Sequence, residues 1–178
     1  MEYVTRSFSY ALMQPKKVAA ALVLLGCVVA IAMAWGFQMA GYLPCQLCLA
    51  QRVPYYIGTA VAVVALGFAL TERYTWVTSV LLLGLAGLFL YGGAIGIYQA
   101  GAEWEFWLGP NDCGGPVSSI NDASAMLNVL NETRVVSCSV PAIRILGLSF
   151  AGLNVLYSIG MTFVALCGVL LRPRRDVA

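Results

Sequence analysis

Four stretches of this chain carry no charged side chain and are each long enough to cross a bilayer: Val18 to Gly41, Val53 to Leu70, Thr75 to Ala102 and Ile145 to Leu171. A bilayer core about 30 Å thick needs roughly 20 apolar residues in a helix, and at about 1.5 Å per residue even the shortest run covers roughly 27 Å. Only helices and closed barrels satisfy every backbone group in lipid, and runs this long are helical. With 61% hydrophobic and only 10% charged residues, far below the roughly 25% charged residues of an average soluble domain, the 178 residues read as one integral membrane domain. The expected architecture is an all-α integral membrane protein. One domain, residues 1–178, would hold a four-helix transmembrane bundle, with helices near 18–41, 45–70, 75–100 and 145–171.

Orientation follows from the basic residues. Arg6, Lys16 and Lys17 precede the first run, and Arg172, Arg174 and Arg175 follow the last, so both termini are expected on the cytoplasmic side. The segment from about 101 to 144 holds Glu103, Glu105, Asp112, Asp122 and Glu132 against Arg134 and Arg144, a net charge of −3. It is expected outside. The overall charge of +2 averages unlike regions and gives no reason to expect nucleic acid as a partner. Ala32-Met33-Ala34 looks like a signal-peptidase site, but the apolar run continues past it, and cleavage would leave three spans with opposed termini.

Pro44 suits a helix start, where its missing N–H has no partner to lose, so Cys45 and Cys48 are expected in the opening turn of helix two. Pro54 lies inside that helix and removes one backbone bond. In helix three, Gly92 and Gly96 have the spacing that lets two helix backbones approach, and membrane packing is the preferred reading over quinone matching. The outer segment is longer than most connections. Trp104, Phe106 and Trp107 read as interface anchors. Ala123, Met126, Leu127 and Leu130 have the period of a short amphipathic helix on the membrane surface, carrying Cys138 near its far end. Gly114, Gly115 and Pro116 mark a turn beside Cys113.

Six cysteines divide by position. Cys27 and Cys167 fall within spans and read as small buried hydrophobes. Cys45, Cys48, Cys113 and Cys138 all lie on the outer side, where disulfides persist if the membrane is a bacterial inner one. Cys45-Gln46-Leu47-Cys48 places two sulfurs close enough to cycle between dithiol and disulfide. Helix-start N–H groups and the dipole there favour a thiolate. Arg52, one turn beyond Cys48, is the only charge between Lys17 and Glu72, and a cation at that depth needs water, an anion or a ligand oxygen. A zinc site of the four cysteines is disfavoured, because Cys113 and Cys138 lie too far apart in sequence for the usual second pair and the chain has no histidine. Two static disulfides fit the spacing alone; only the helix-start position and Arg52 argue against them.

These features together resemble the DsbB family of quinone-linked membrane thiol oxidases. The resemblance covers four helices, Cys45-Gln46-Leu47-Cys48, Arg52, the Cys113 and Cys138 pair, and Leu146-Gly147-Leu148-Ser149 opening helix four. It implies that a DsbA-like, thioredoxin-fold periplasmic partner attacks a Cys113–Cys138 disulfide at Cys113. Cys138 would then exchange with Cys45, Cys48 would leave as a thiolate, electrons would pass to ubiquinone or menaquinone beside Cys48, and Arg52 would stabilise both that thiolate and the reduced quinone's oxygen. It also implies the bacterial inner membrane, with periplasmic active cysteines. Two departures stand out. Leu153 replaces a tryptophan that many relatives carry, and no histidine is present for the quinone site, with Gln99 at most a substitute. A vitamin K epoxide reductase-like protein is the runner-up, but there the loop cysteines precede the active pair in sequence, whereas here they follow it.

Overall fold

The computed structural model describes residues 14–71, 73–109, 144–145 and 147–171. Among these are four helices long and apolar enough to cross a membrane: α1 (Pro15–Met39), α2 (Gln46–Thr71), α3 (Thr75–Glu103) and α4 (Phe150–Leu170). The expected bundle of spans is present. The short amphipathic helix expected around 123–130 lies outside the described residues.

The helix boundaries sharpen the reading in three places. Helix two begins at Gln46, so Cys45 is the cap and not the first helical residue. Its carbonyl accepts from Leu49 N at 3.0 Å, and its sulfur accepts from Cys48 N at 3.2 Å, in the manner of a capping side chain. Helix three continues to Glu103, moving that residue out of the outer segment. Helix four begins at Phe150 and not near Ile145, because the chain first makes a small hairpin. There β1 (Arg144–Ile145) pairs antiparallel with β2 (Leu148–Ser149), in register Arg144↔Ser149 and Ile145↔Leu148. Gly147, at φ +84°, takes the left-handed conformation that this turn needs. Ser149 then caps α4, its hydroxyl accepting from Gly152 N at 3.2 Å.

The four helices form a square. Neighbours around it are α1 with α2, α2 with α3, α3 with α4, and α4 with α1, while the diagonal pairs scarcely touch. The α3–α4 side is the tightest because small residues line it. A Cβ on Gly96 would come within 2.9 Å of Val155 Cγ2 and 3.2 Å of the Ala151 carbonyl, and one on Gly93 within 3.3 Å of Ser158 Cβ. Gly92 faces the ring of Pro54 on α2. The helix-three glycines therefore serve packing, as preferred from the sequence. Phe89, Leu82, Leu85, Val23 and Cys27 fill the centre, fully buried. At the α3 end Trp107 lies over Gly101, stacks on Tyr98 at 13° and donates to the Tyr98 carbonyl at 2.8 Å. Lys16 closes the opposite end, donating from Nζ to the Thr75 carbonyl at 2.9 Å.

Candidate functional site

The loop Ala40 to Pro44 returns the chain from α1 to α2 and delivers the two motif cysteines to the same end of the bundle as Glu103 and Ser149. Cys45 and Cys48 are free thiols with sulfurs 2.9 Å apart, Cys45 donating. Their environments differ. Cys45 is buried at the cap, and its bond to Cys48, followed by burial, pushes its thiol well above the usual range. Cys45 therefore keeps its proton and offers it to the neighbouring sulfur. Cys48 lines a cavity that Cys45 does not reach.

That cavity, about 600 Å³, lies between α1, α2 and the start of α4. Its lining is mostly aliphatic and aromatic, including Phe37, Tyr42, Phe150 and Leu153, with Cys48, Gln51, Arg52, Tyr55, Asn154 and Tyr157 among its polar groups. A cavity of this size and make-up suits an apolar ring compound with a few hydrogen-bonding oxygens. Tyr55 spans the α2–α4 diagonal: its hydroxyl donates to Asn154 Oδ1 at 2.6 Å and lies 3.1 Å from Ser158 Oγ. Leu153 forms part of the wall, leaving that side of the cavity aliphatic.

Arg52 lies in this cavity with Cys48, as its place one turn along the helix predicts. Its guanidinium does not point at the sulfur, however. Nη1 donates to Gln38 Oε1 at 2.7 Å and Nη2 to the Ala34 carbonyl at 3.3 Å, both on α1. These acceptors are uncharged, so the cation is held in place without being neutralised.

The group that meets Cys48 from across the bundle is Gln99. Its Nε2 lies 3.4 Å from the Cys48 sulfur and its Oε1 3.8 Å away. Behind it, Gln51 Nε2 donates to Gln99 Oε1 at 2.7 Å, and Gln99 Nε2 donates to Glu103 Oε1 at 3.1 Å. Gln51, Gln99 and Glu103 are all buried. Gln51 and Glu103 were not singled out from the sequence as site residues, and Gln99 entered only as a possible stand-in for an absent histidine. Gln99 and Glu103 nonetheless stand one turn apart on an otherwise apolar span, the kind of intramembrane polar pair that marks function. Cys113 and Cys138 lie outside the described residues.

Four membrane-spanning helices with a dithiol at one helix start, opening onto an apolar cavity that holds one cation, define an integral membrane protein suited to oxidation of that dithiol by a lipid-soluble electron acceptor. The family model for disulfide bond formation protein DsbB matches residues 16–168, and the chain belongs to the DsbB family. No curated protein and no solved structure matches it. Membership makes the chain a membrane thiol oxidase that reoxidises DsbA and passes the electrons to quinone, a quinone-dependent dithiol oxidoreductase with four spans.

Proposed function

We propose that the four outer-side cysteines divide the family's reaction between them, with Cys48 the one that meets quinone. The observation that carries this assignment is the difference between the paired sulfurs: Cys48 lines the apolar cavity with Arg52, whereas Cys45 does not and keeps its proton. The whole chain acts as one membrane unit. Its basic ends are cytoplasmic, and its cysteines face an outer compartment, the periplasm of an inner-membrane protein.

The relay runs through four thiol–disulfide exchanges. A DsbA-like dithiol partner attacks the Cys113–Cys138 disulfide at Cys113, forming a mixed disulfide and releasing Cys138. The partner's second thiol then closes its own disulfide and frees Cys113. Cys138 attacks Cys45 of the Cys45–Cys48 disulfide, and Cys48 leaves as a thiolate; Cys113 then displaces Cys45 from Cys138, restoring the loop disulfide and leaving the motif pair reduced. A leaving thiol stabilised as its anion speeds such an exchange, and Cys48, three residues past the cap, sits where helix-start N–H groups favour that anion. Cys45 and Cys48 then close their disulfide again and give up two electrons and two protons, which a bound quinone, ubiquinone or menaquinone, would accept to become quinol. Arg52, fixed by Gln38 and Ala34 in the cavity wall, would hold positive charge for a quinone oxygen that gains negative charge.

The order of the relay is tested by mixing the oxidised wild-type protein with a reduced thioredoxin-fold partner whose second, resolving thiol has been replaced by alanine. With Cys138 as the leaving thiol and no second partner thiol to resolve the complex, a mixed disulfide between the partner and Cys113 is expected to accumulate, visible on a non-reducing gel and located by peptide mapping. A complex formed through Cys45 would reverse the assignment of the two pairs.

A further inference from the structure

Gln99 presents two chemically opposite ends, and only one of them can stabilise a sulfur anion. With its N–H group towards Cys48 it donates a hydrogen bond to the sulfur; flipped, it would set a carbonyl oxygen against it. The nitrogen is the nearer atom, at 3.4 Å against 3.8 Å for the oxygen. Amide orientation is a matter of neighbours. Gln51 alone cannot fix it, because Gln51 is itself an amide and can flip in concert, preserving one hydrogen bond between the pair. Glu103 breaks the tie. Its Oε1 accepts from Gln99 Nε2 at 3.1 Å, and a flipped Gln99 would turn oxygen against oxygen there.

The position of Glu103 argues against incidental packing. It is 7% exposed at the end of a membrane span, and its Oε2 is buried with no hydrogen-bond partner among the described residues. A buried, half-satisfied carboxyl group is costly, and native structures seldom keep one without a use.

We propose that Glu103 is a positioning residue for the quinone-facing cysteine: it locks the Gln99 amide so that its N–H points at Cys48 and stabilises that sulfur as an anion. The inference rests on the reading of Cys48 above and extends it to two residues of α3. Gln99 acts on the sulfur directly, and Glu103 acts through Gln99. The chain thus uses a fixed amide where a histidine is absent, a donor that carries no titrating proton of its own.

The test reads how readily Cys48 ionises, in reduced full-length protein in detergent, with neither quinone nor partner present. Iodoacetamide is applied at less than one modification per molecule, and peptide mapping gives the pH midpoint of Cys48 alkylation. Gln99→Leu is expected to raise that midpoint by about one pH unit, the size of one lost hydrogen bond to an anion. Glu103→Gln keeps the size and polarity of the side chain but, like Gln51, is an amide that can flip in concert with Gln99, and Glu103→Leu removes the acceptor altogether, so both lose the lock. Both are expected at least about half a unit above wild type, whereas loss of a nearby acidic group acting only through space would lower the midpoint. Protection of Cys27, fully buried in the core, reports whether each variant stays folded. If Gln99→Leu unfolds, the Glu103 variants alone decide. A midpoint at or below wild type in the folded Glu103 variants, or an unchanged midpoint in folded Gln99→Leu, overturns the proposal. Because the midpoint needs no turnover, it separates this inference from the relay: loss of quinone reduction with these shifts intact would count against the relay only.

Discussion

Arg52 donates to Gln38 Oε1 across 2.7 Å, so the cation of the candidate quinone cavity is anchored to the preceding helix and not to the cysteine one turn before it. This separates two tasks that the sequence merges. Arg52 serves the cavity, while the sulfur is addressed by Gln99 from α3.

Arg52→Leu removes the cavity's cation and its two bonds to α1. The expected result is a KM for quinone raised about tenfold or more, since hydrogen bonds involving a charged group contribute about 1.5–3 kcal/mol. Arg52→Lys keeps the charge but not the forked geometry and is expected to fall between. Steady-state kinetics with a short-chain quinone, at fixed reduced partner, measures both.

Tyr55 joins two helices that otherwise scarcely touch. Tyr55→Phe leaves Asn154 and Ser158 without their shared partner and is expected to cost about 1–3 kcal/mol of stability. A lowered thermal midpoint in detergent checks this. Added quinone, binding the folded state, should recover part of the loss.

Two glycines of α3 are predicted to behave oppositely. Gly96→Ala forces a methyl group against Val155 and the Ala151 carbonyl and is expected to destabilise by about 1–3 kcal/mol. Gly84→Ala meets nothing within 4 Å and is expected to be neutral or slightly stabilising. Thermal unfolding of the two variants side by side gives the comparison.

Cys45 provides the pH prediction. Its thiol is pushed up, mainly by the bond to Cys48, so it stays protonated through neutral and mildly alkaline pH. Under single-hit alkylation Cys45 is expected to remain unmodified up to and beyond pH 9. The sign for stability is the same: with the folded-state value above the unfolded one, its contribution is intact below the ordinary thiol value and fades as pH rises past it. Peptide-resolved alkylation from pH 6 to 10 tests the order of modification.

The spans were legible because charge-free runs of 18 or more residues leave few alternatives, and the Cys-x-x-Cys motif with Arg52 was legible because those residues are close in sequence. The rest required packing. Gln51, Gln99 and Cys48 meet only when α2 and α3 lie side by side, about fifty residues apart in the chain. Glu103 was counted with the acidic outer segment because a charge at the end of an apolar run reads as the start of a loop; the helix instead carries it inward. The start of helix four reads five residues early in the sequence because Ile145 to Ser149 is as apolar as a span, whereas the left-handed Gly147 and the Ser149 cap make a hairpin before the helix.

The central claim is that Cys48 hands electrons to quinone, and the most direct measurement is quinone reduction by purified protein supplied with a reduced thioredoxin-fold dithiol partner, followed by ultraviolet absorbance. The wild-type chain is expected to turn over repeatedly and Cys48→Ala not at all, while still forming the mixed disulfide with the partner through Cys113. Sustained turnover by Cys48→Ala would contradict the account.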